Sequence, residues 1–145
     1  MSIFTCGMCG HLEFNAAPDQ CPVCKSPKEK YSRNDKIFED SAEKSKEAAV
    51  KHIPAITVNK TCGLIPNQGC IDVIVKIGAT QHPMEAAHFI QFIDCYIDEK
   101  HSSRIMLSPQ VYAAGCFHLK AVGKKVAIVE NCNIHGYWKA ETTIG

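Results

Sequence analysis

Nowhere in these 145 residues do apolar side chains run to the length of about eighteen that a membrane-crossing helix needs. Neither sign of charge is in excess. Sixteen Lys and Arg stand against fifteen Asp and Glu, a formal net charge of +1, which removes the electrostatic case for a nucleic-acid or membrane-surface partner. The opening Met1-Ser2-Ile3-Phe4-Thr5-Cys6 lacks the basic region and apolar stretch of a secretory signal, so a cytoplasmic protein is expected. There is no internal repeat and no low-complexity tract. At 46% apolar and 21% charged residues, the composition is that of a folded chain, with room for one ordinary domain or a small one joined to a compact one.

The chain is rich in cysteine, with nine. An odd number without a secretion signal argues against a disulfide framework. Four of the nine form two C-x-x-C pairs, Cys6 with Cys9 and Cys21 with Cys24, eleven residues apart. Each pair fits a tight knuckle whose backbone N–H groups face the sulfurs. Two knuckles together make a tetrahedral four-sulfur site suited to zinc or to a single iron, and spacing does not choose between them. Such a site also explains how some thirty residues with little core-forming material can be ordered.

Composition then shifts twice. Residues 33–50 are charged, and Asp40 followed by Glu43 has the form of a capping box, which predicts a short exposed helix or linker. From residue 51 to 145 the pattern is one of short strands. Ile71, Val73, Val75 and Ile77 alternate with Asp72, Ile74 and Lys76. Phe89 to Ile97 is long and β-rich. Phe117, Leu119 and Ala121 alternate with His118 and Lys120, and Gly123-Lys124-Lys125 reads as a turn into Val126-Ala127-Ile128-Val129. Short strands separated by turn signals predict an antiparallel β-sandwich.

The same region carries a second set of metal-ligating side chains. Cys132-Asn133-Ile134-His135-Gly136 is a C-x-x-H turn from which both side chains can reach one ion. His82 and His88 would lie about 20 Å apart in an extended chain, so sharing an ion requires the intervening Pro83-Met84-Glu85-Ala86-Ala87 to fold back as a compact turn. Cys95 reads as a core residue of its strand. Cys62 and Cys70 bracket a loop and could pair or respond to redox state. Cys116, His11, His101 and His118 fit no motif.

Two resemblances add to this reading. Phe4-Thr5-Cys6-Gly7-Met8-Cys9-Gly10 and Cys21-Pro22-Val23-Cys24-Lys25-Ser26-Pro27 resemble the rubredoxin-type domain of rubrerythrins, which implies one iron held by four thiolates and one-electron transfer. Lys51-His52-Ile53-Pro54, His82-Pro83-Met84-Glu85-x2-His88-Phe89-Ile90 and Cys132-Asn133-Ile134-His135-Gly136-Tyr137-Trp138-Lys139 resemble, in that order, the desulfoferrodoxin and neelaredoxin superoxide reductases. That resemblance covers about Lys51 to Ala140. It implies an immunoglobulin-like sandwich and a mononuclear iron with four equatorial histidines, His52, His82, His88 and His135, an axial thiolate from Cys132, and an open sixth position. A thiolate opposite that position would push electron density toward a bound ligand. It also implies that Lys51 lies beside the site and attracts superoxide. The electron donor would be a rubredoxin or its reductase, and a homodimer or homotetramer is expected by analogy.

The match departs from the family in two places. Val50 stands where the family has a glutamate before the lysine, with Glu47 nearby in sequence. The N-terminal cysteines form two C-x-x-C pairs, where desulfoferrodoxins have two adjacent cysteines. Two other readings remain open at this point. One is a two-iron electron carrier without enzymatic activity. The other is a zinc-ribbon interaction module on a metal-stabilised sandwich.

Overall fold

The computed structural model describes residues 1–44, 49–120 and 123–144. Ala121, at the end of one predicted alternation, and Glu47 lie outside the described residues. The remaining chain is mainly β. Strands β1 (Ile3–Cys6), β2 (Leu12–Phe14) and β3 (Tyr31–Arg33) form a small antiparallel sheet of order β2-β1-β3, with a single 3-10 turn at Lys28–Lys30 leading into β3. Two short helices follow, α1 (Ile37–Lys44) and α2 (Ala49–His52). The rest is seven strands: β4 (Pro54–Asn59), β5 (Ile71–Ile77), β6 (Ile90–Ile97), β7 (Lys100–Met106), β8 (Ala114–Leu119), β9 (Lys125–Cys132) and β10 (Gly136–Thr143). They make two antiparallel sheets, β4-β5-β8 and β10-β9-β6-β7.

The predicted period of two in β5 is borne out. Ile71, Val73, Val75 and Ile77 are buried, while Ile74 and Lys76 face outward. They pack across the sandwich against Ile93, Cys95, Val126 and Ile128 of the facing sheet. Cys95 is fully buried there, as expected.

Strand β6 reads instead as an almost unbroken apolar run, and the structure gives the reason. The sheet that contains it is covered on both faces. Ile93 and Cys95 face the sandwich core, whereas Tyr96, with Ala127 and Val129 of β9, meets Ile3 and Leu12 of the N-terminal sheet. The molecule therefore has three layers, with β10-β9-β6-β7 in the middle. The N-terminal segment forms more of a core than its composition conveys, because its few apolar residues, Ile3, Leu12 and Phe14, pack with Tyr96 of β6, Ala127 and Val129 of β9, and Ile37 and Phe38 of α1.

Helix α1 begins three residues before the predicted capping box, so Asp40 lies within it. The Asn34 side chain accepts a hydrogen bond from the backbone N–H of Lys36 and donates one to the Asp40 carboxylate (3.1 Å). Ser41 is the buried residue of this helix. Its hydroxyl donates to the Ile37 carbonyl and accepts from the Tyr137 N–H (2.9 Å), which docks α1 on the start of β10.

Candidate metal centres

The two knuckles of the N-terminal sheet are built alike. The Gly10 N–H closes on the Cys6 carbonyl (2.9 Å), and the Lys25 N–H closes on the Cys21 carbonyl (3.0 Å). The backbone N–H groups of Met8 and Cys9 reach the Cys6 sulfur, and those of Val23 and Cys24 reach the Cys21 sulfur. Cys6 Sγ lies 3.6 Å from Cys24 Sγ, and Cys9 Sγ lies 3.6 Å from Cys21 Sγ. Four sulfurs bonded at about 2.3 Å around one tetrahedral ion would stand about 3.8 Å apart, so the four thiols fit a single metal. Burial pushes the thiols of Cys6 and Cys9 up. At Cys21, burial is outweighed by N–H donors and the Tyr31 hydroxyl, which bring the thiol down to about 6, and the Ser26 hydroxyl lowers Cys24. The site thus holds part of its thiolate charge before any ion arrives.

The second centre lies where α2, the turn before β6 and the β9–β10 turn converge. His52, His82, His88 and His135 form a square. Neighbouring ring centroids are 4.5 Å (His52–His82), 4.6 Å (His82–His88), 4.9 Å (His88–His135) and 4.9 Å (His52–His135), and the His52–His88 diagonal is 6.4 Å. Adjacent rings are steeply tilted, by 56° to 81°. The buried Cys132 Sγ sits 3.7 Å from His82 Nε2 and 3.8 Å from His135 Nδ1. One donor atom from each of the five residues lies within 4.8 Å of every other.

The chain between His82 and His88 folds back as predicted, with reciprocal backbone hydrogen bonds between Glu85 and His88 (3.0 Å each). His82 donates its Nδ1–H to the Pro83 carbonyl (2.6 Å), which leaves Nε2 facing inward. His52 Nδ1 lies 3.3 Å from the buried Glu130 carboxyl, and its Nε2 lies 3.1 Å from His135 Nδ1. A carboxyl behind a histidine is a usual means of fixing the ring that faces a metal. Trp138, the chain's single tryptophan, stacks on His52 at 5.0 Å and 12° and donates its indole N–H to the His135 carbonyl. Gly136 takes φ +78°, and a Cβ there would meet the Ser41 hydroxyl at 2.5 Å, so glycine is needed to turn the chain from His135 into β10.

The electrostatics favour metal ligation. Burial, then the neighbouring histidines and Lys51, lowers His52 to about 3. Burial likewise lowers His82 to about 4, even though its bond to the Pro83 carbonyl acts in the opposite sense. His88 is lowered by burial and by His135. These rings are therefore neutral, the form that binds a metal. Burial also pushes the Glu130 carboxyl well up. The His88 Nε2 is buried without a hydrogen-bond partner, as is the Glu130 Oε1. A buried imidazole nitrogen without a partner, on a ring at one corner of a square of imidazoles, is accounted for by an ion. The donor set of four nitrogens and one sulfur suits iron.

Lys51 is exposed on α2, one residue before His52. Val50 is exposed and offers no ligand atom. Sequence reasoning missed several polar residues. His11 lies 2.7 Å from Glu13 and 3.8 Å from Asp94, and Asp94 is also bonded by His101 and Arg104. This cluster ties the N-terminal sheet to the central one. Arg104 donates to the Cys9 carbonyl (2.9 Å), and Tyr137 donates to the Gly10 carbonyl (2.6 Å). Gly10, at φ +79°, admits the Tyr137 hydroxyl where a Cβ would sit only 3.0 Å from it. His118 gathers with Cys62, Cys70 and Asp72. No sequence motif flags these residues, because the contacts that complete each cluster, such as His11 with Asp94 and His118 with Asp72, form only in the folded chain.

An antiparallel sandwich with a square of imidazoles over a buried thiol, joined to a four-thiol knuckle sheet, defines a two-centre non-haem metalloprotein. Comparison with known proteins makes this specific. Residues 42–141 match the family model for desulfoferrodoxin, and residues 4–32 match that for the rubredoxin-like domain of rubrerythrin. A desulfoferrodoxin of Syntrophotalea carbinolica is 32% identical over 143 residues, which is 97% of this chain and 96% of that one. A superoxide reductase (neelaredoxin) of Ignicoccus hospitalis superposes with a TM-score of 0.57 at 26% identity, over 70% of this chain and 85% of that one. The superoxide reductase of Treponema pallidum shares the fold over 96% of both chains, with a TM-score of 0.62 at 23% identity. The chain belongs to the desulfoferrodoxin family.

Proposed function

We propose that this chain is a superoxide reductase in which His52, His82, His88, His135 and Cys132 hold the catalytic iron and Cys6, Cys9, Cys21 and Cys24 hold a second, electron-donating iron. It is an oxidoreductase that converts superoxide, with one electron and two protons, to hydrogen peroxide. The observation that carries the reading is the square of four imidazoles set over a buried thiol. Iron bound at the two centres supplies one-electron transfer.

The chain's own residues do the rest. His52, His82, His88, His135 and Cys132 would hold the iron, and with four imidazoles in the set the Cys132 thiolate would carry its single negative charge. His52 is held in place by Glu130 and Trp138, and His82 by the Pro83 carbonyl. Lys51 sets a positive charge beside the open face, where it attracts the superoxide anion and stabilises charge developing toward peroxide. Residues 1–32 act as the rubredoxin-like module, 33–50 as the connector and 51–145 as the catalytic sandwich.

Electrons pass between the centres within one chain. Cys9 and Gly10 are hydrogen-bonded through their carbonyls to Arg104 and Tyr137, and Tyr137 is two residues from His135. The first centre draws its electrons from a rubredoxin-type donor. Among the described residues no helix is long and apolar enough to cross a membrane, and we place the protein in the cytoplasm.

The test is metal analysis and a visible spectrum of the purified protein, then rapid mixing of its reduced form with superoxide. Two irons, one with a four-thiolate spectrum, and fast one-electron oxidation of the other with formation of peroxide are expected. Absence of reaction at the histidine-ligated iron would overturn the assignment.

A further inference from the structure

On the outer face of the β4-β5-β8 sheet, apart from both donor sets, four further ligand-bearing side chains converge. Asp72 points outward from β5, and the strand register places it directly opposite His118 on β8. The loop between β4 and β5 folds over this pair and brings Cys62 and Cys70 onto it. His118 Nδ1 lies 2.8 Å from Asp72 Oδ1, 3.6 Å from Cys62 Sγ and 3.6 Å from Cys70 Sγ, and Cys70 Sγ lies 3.5 Å from Asp72 Oδ1. All four donor atoms fall within 4.8 Å of one another. Around a tetrahedral zinc with bonds of about 2.3 Å to sulfur and about 2.0–2.1 Å to nitrogen and oxygen, sulfur would stand about 3.5 Å from either lighter atom. The three distances to sulfur match this.

Two features separate the cluster from other arrangements of the same groups. A histidine that relays protons between a carboxylate and a thiol uses its two ring nitrogens, one toward each. Here a single nitrogen, Nδ1, faces the carboxylate and both thiols, and convergence on one point is what an ion requires. The loop's burial pattern also runs against hydrophobic packing. Cys62 and Cys70 are 7% and 8% exposed, while Leu64 and Ile65 of the same loop are 73% and 41% exposed. Neither thiol belongs to the sandwich core or to the core under the N-terminal sheet. The loop buries its ligand atoms and leaves its apolar side chains in water.

We propose that Cys62, Cys70, Asp72 and His118 form a third metal site, which takes zinc and fastens the β4–β5 loop to the sandwich. Two thiolates, an imidazole and a carboxylate make a closed tetrahedral set of the structural kind, and binding releases the two thiol protons to solvent.

The experiment compares the full-length protein with its Cys62→Ser/Cys70→Ser variant, both prepared anaerobically with zinc present. The unmodified chain should retain one zinc more per chain than the variant, with iron content and visible spectrum unchanged. Because removal of both thiols can unseat the loop, the unmodified protein is also alkylated with iodoacetamide, with zinc added or chelated, and mapped by mass spectrometry. Zinc should protect Cys62 and Cys70 together, while the exposed Cys116 reacts in both conditions. Equal zinc in the two proteins, alkylation that does not depend on zinc, or an anaerobic mass lower by the two hydrogens of a Cys62–Cys70 disulfide would overturn the proposal.

Discussion

The Asp94–Arg104 pair lies buried beneath the N-terminal sheet, and its contribution can be weighed. Asp94 is fully buried and Arg104 nearly so. The guanidinium donates from Nε and NH2 to the two carboxylate oxygens, at 2.7 Å each, lies 3.6 Å above the Phe92 ring, and gives its remaining arm to the Cys9 carbonyl. Replacing Arg104 by methionine keeps most of the apolar bulk and removes the charge. Breaking a buried pair by deleting one partner costs about 3–5 kcal/mol, because the other charge is left without compensation. Asp94 keeps His101 at 3.3 Å and His11 at 3.8 Å, so a loss near the lower end, about 3 kcal/mol, is expected. The Asp94→Leu/Arg104→Met double variant removes both charges and should recover at least half of that loss.

The assay is anaerobic urea denaturation of metal-loaded protein, followed by circular dichroism at constant slope. pH adds a second arm. Burial raises the Asp94 carboxyl, but Arg104, His101 and His11 outweigh it and hold the group well below the usual carboxylate range. A carboxylate lowered on folding contributes stability that is full above its unfolded value of about 3.9 and is lost as pH falls below it. The gap between wild type and Arg104→Met should therefore narrow below about pH 4. A single-variant loss under about 1 kcal/mol, or a double variant no more stable than the single, would refute the reasoning.

Cys132→Ser should abolish superoxide reduction while circular dichroism still reports the sandwich; unaltered turnover would remove the thiolate from its assigned role. Lys51→Ala should slow the reaction with superoxide by about tenfold and flatten its dependence on ionic strength. A rate that falls with its salt dependence intact would count against attraction by this lysine. Tyr137→Phe deletes the hydrogen bond to Gly10 two residues from His135, so it should slow electron transfer between the centres, measured by flash reduction of the four-thiolate iron. The direct reaction of the histidine-ligated iron with superoxide should not change, and equal transfer rates in the two proteins would exclude this route.

Much of the site was legible because its motifs are local. The two C-x-x-C knuckles, the C-x-x-H turn and the fold-back from His82 to His88 each carry their geometry within a few residues. Gathering His52 with the other histidines needed family resemblance, since α2 reaches the site only through tertiary packing. Strand β5 could be read from its alternation, whereas β6 gave no period because both of its faces are covered. The capping box at Asp40 was misplaced because Asn34, six residues earlier, makes the side-chain hydrogen bonds at the start of α1. His11, His101 and His118 had no sequence signal, since the partners that give them meaning, Asp94 for the first two and Asp72 for the third, become neighbours only when strands pair and layers stack.

The middle position of the β10-β9-β6-β7 sheet bears on how this architecture can change. A sandwich whose outer sheet faces water can gain or lose an appended module freely. Here Tyr96, Ala127 and Val129 are apolar on the side that the N-terminal sheet covers, and the carbonyls of Cys9 and Gly10 are bonded from Arg104 and Tyr137. Trimming the chain back to the sandwich would strip an apolar face and strand a buried ion pair in one step. The fusion thus behaves as a ratchet, in which each side has adapted to the other's presence, and a return to the free-standing form would require several coordinated substitutions.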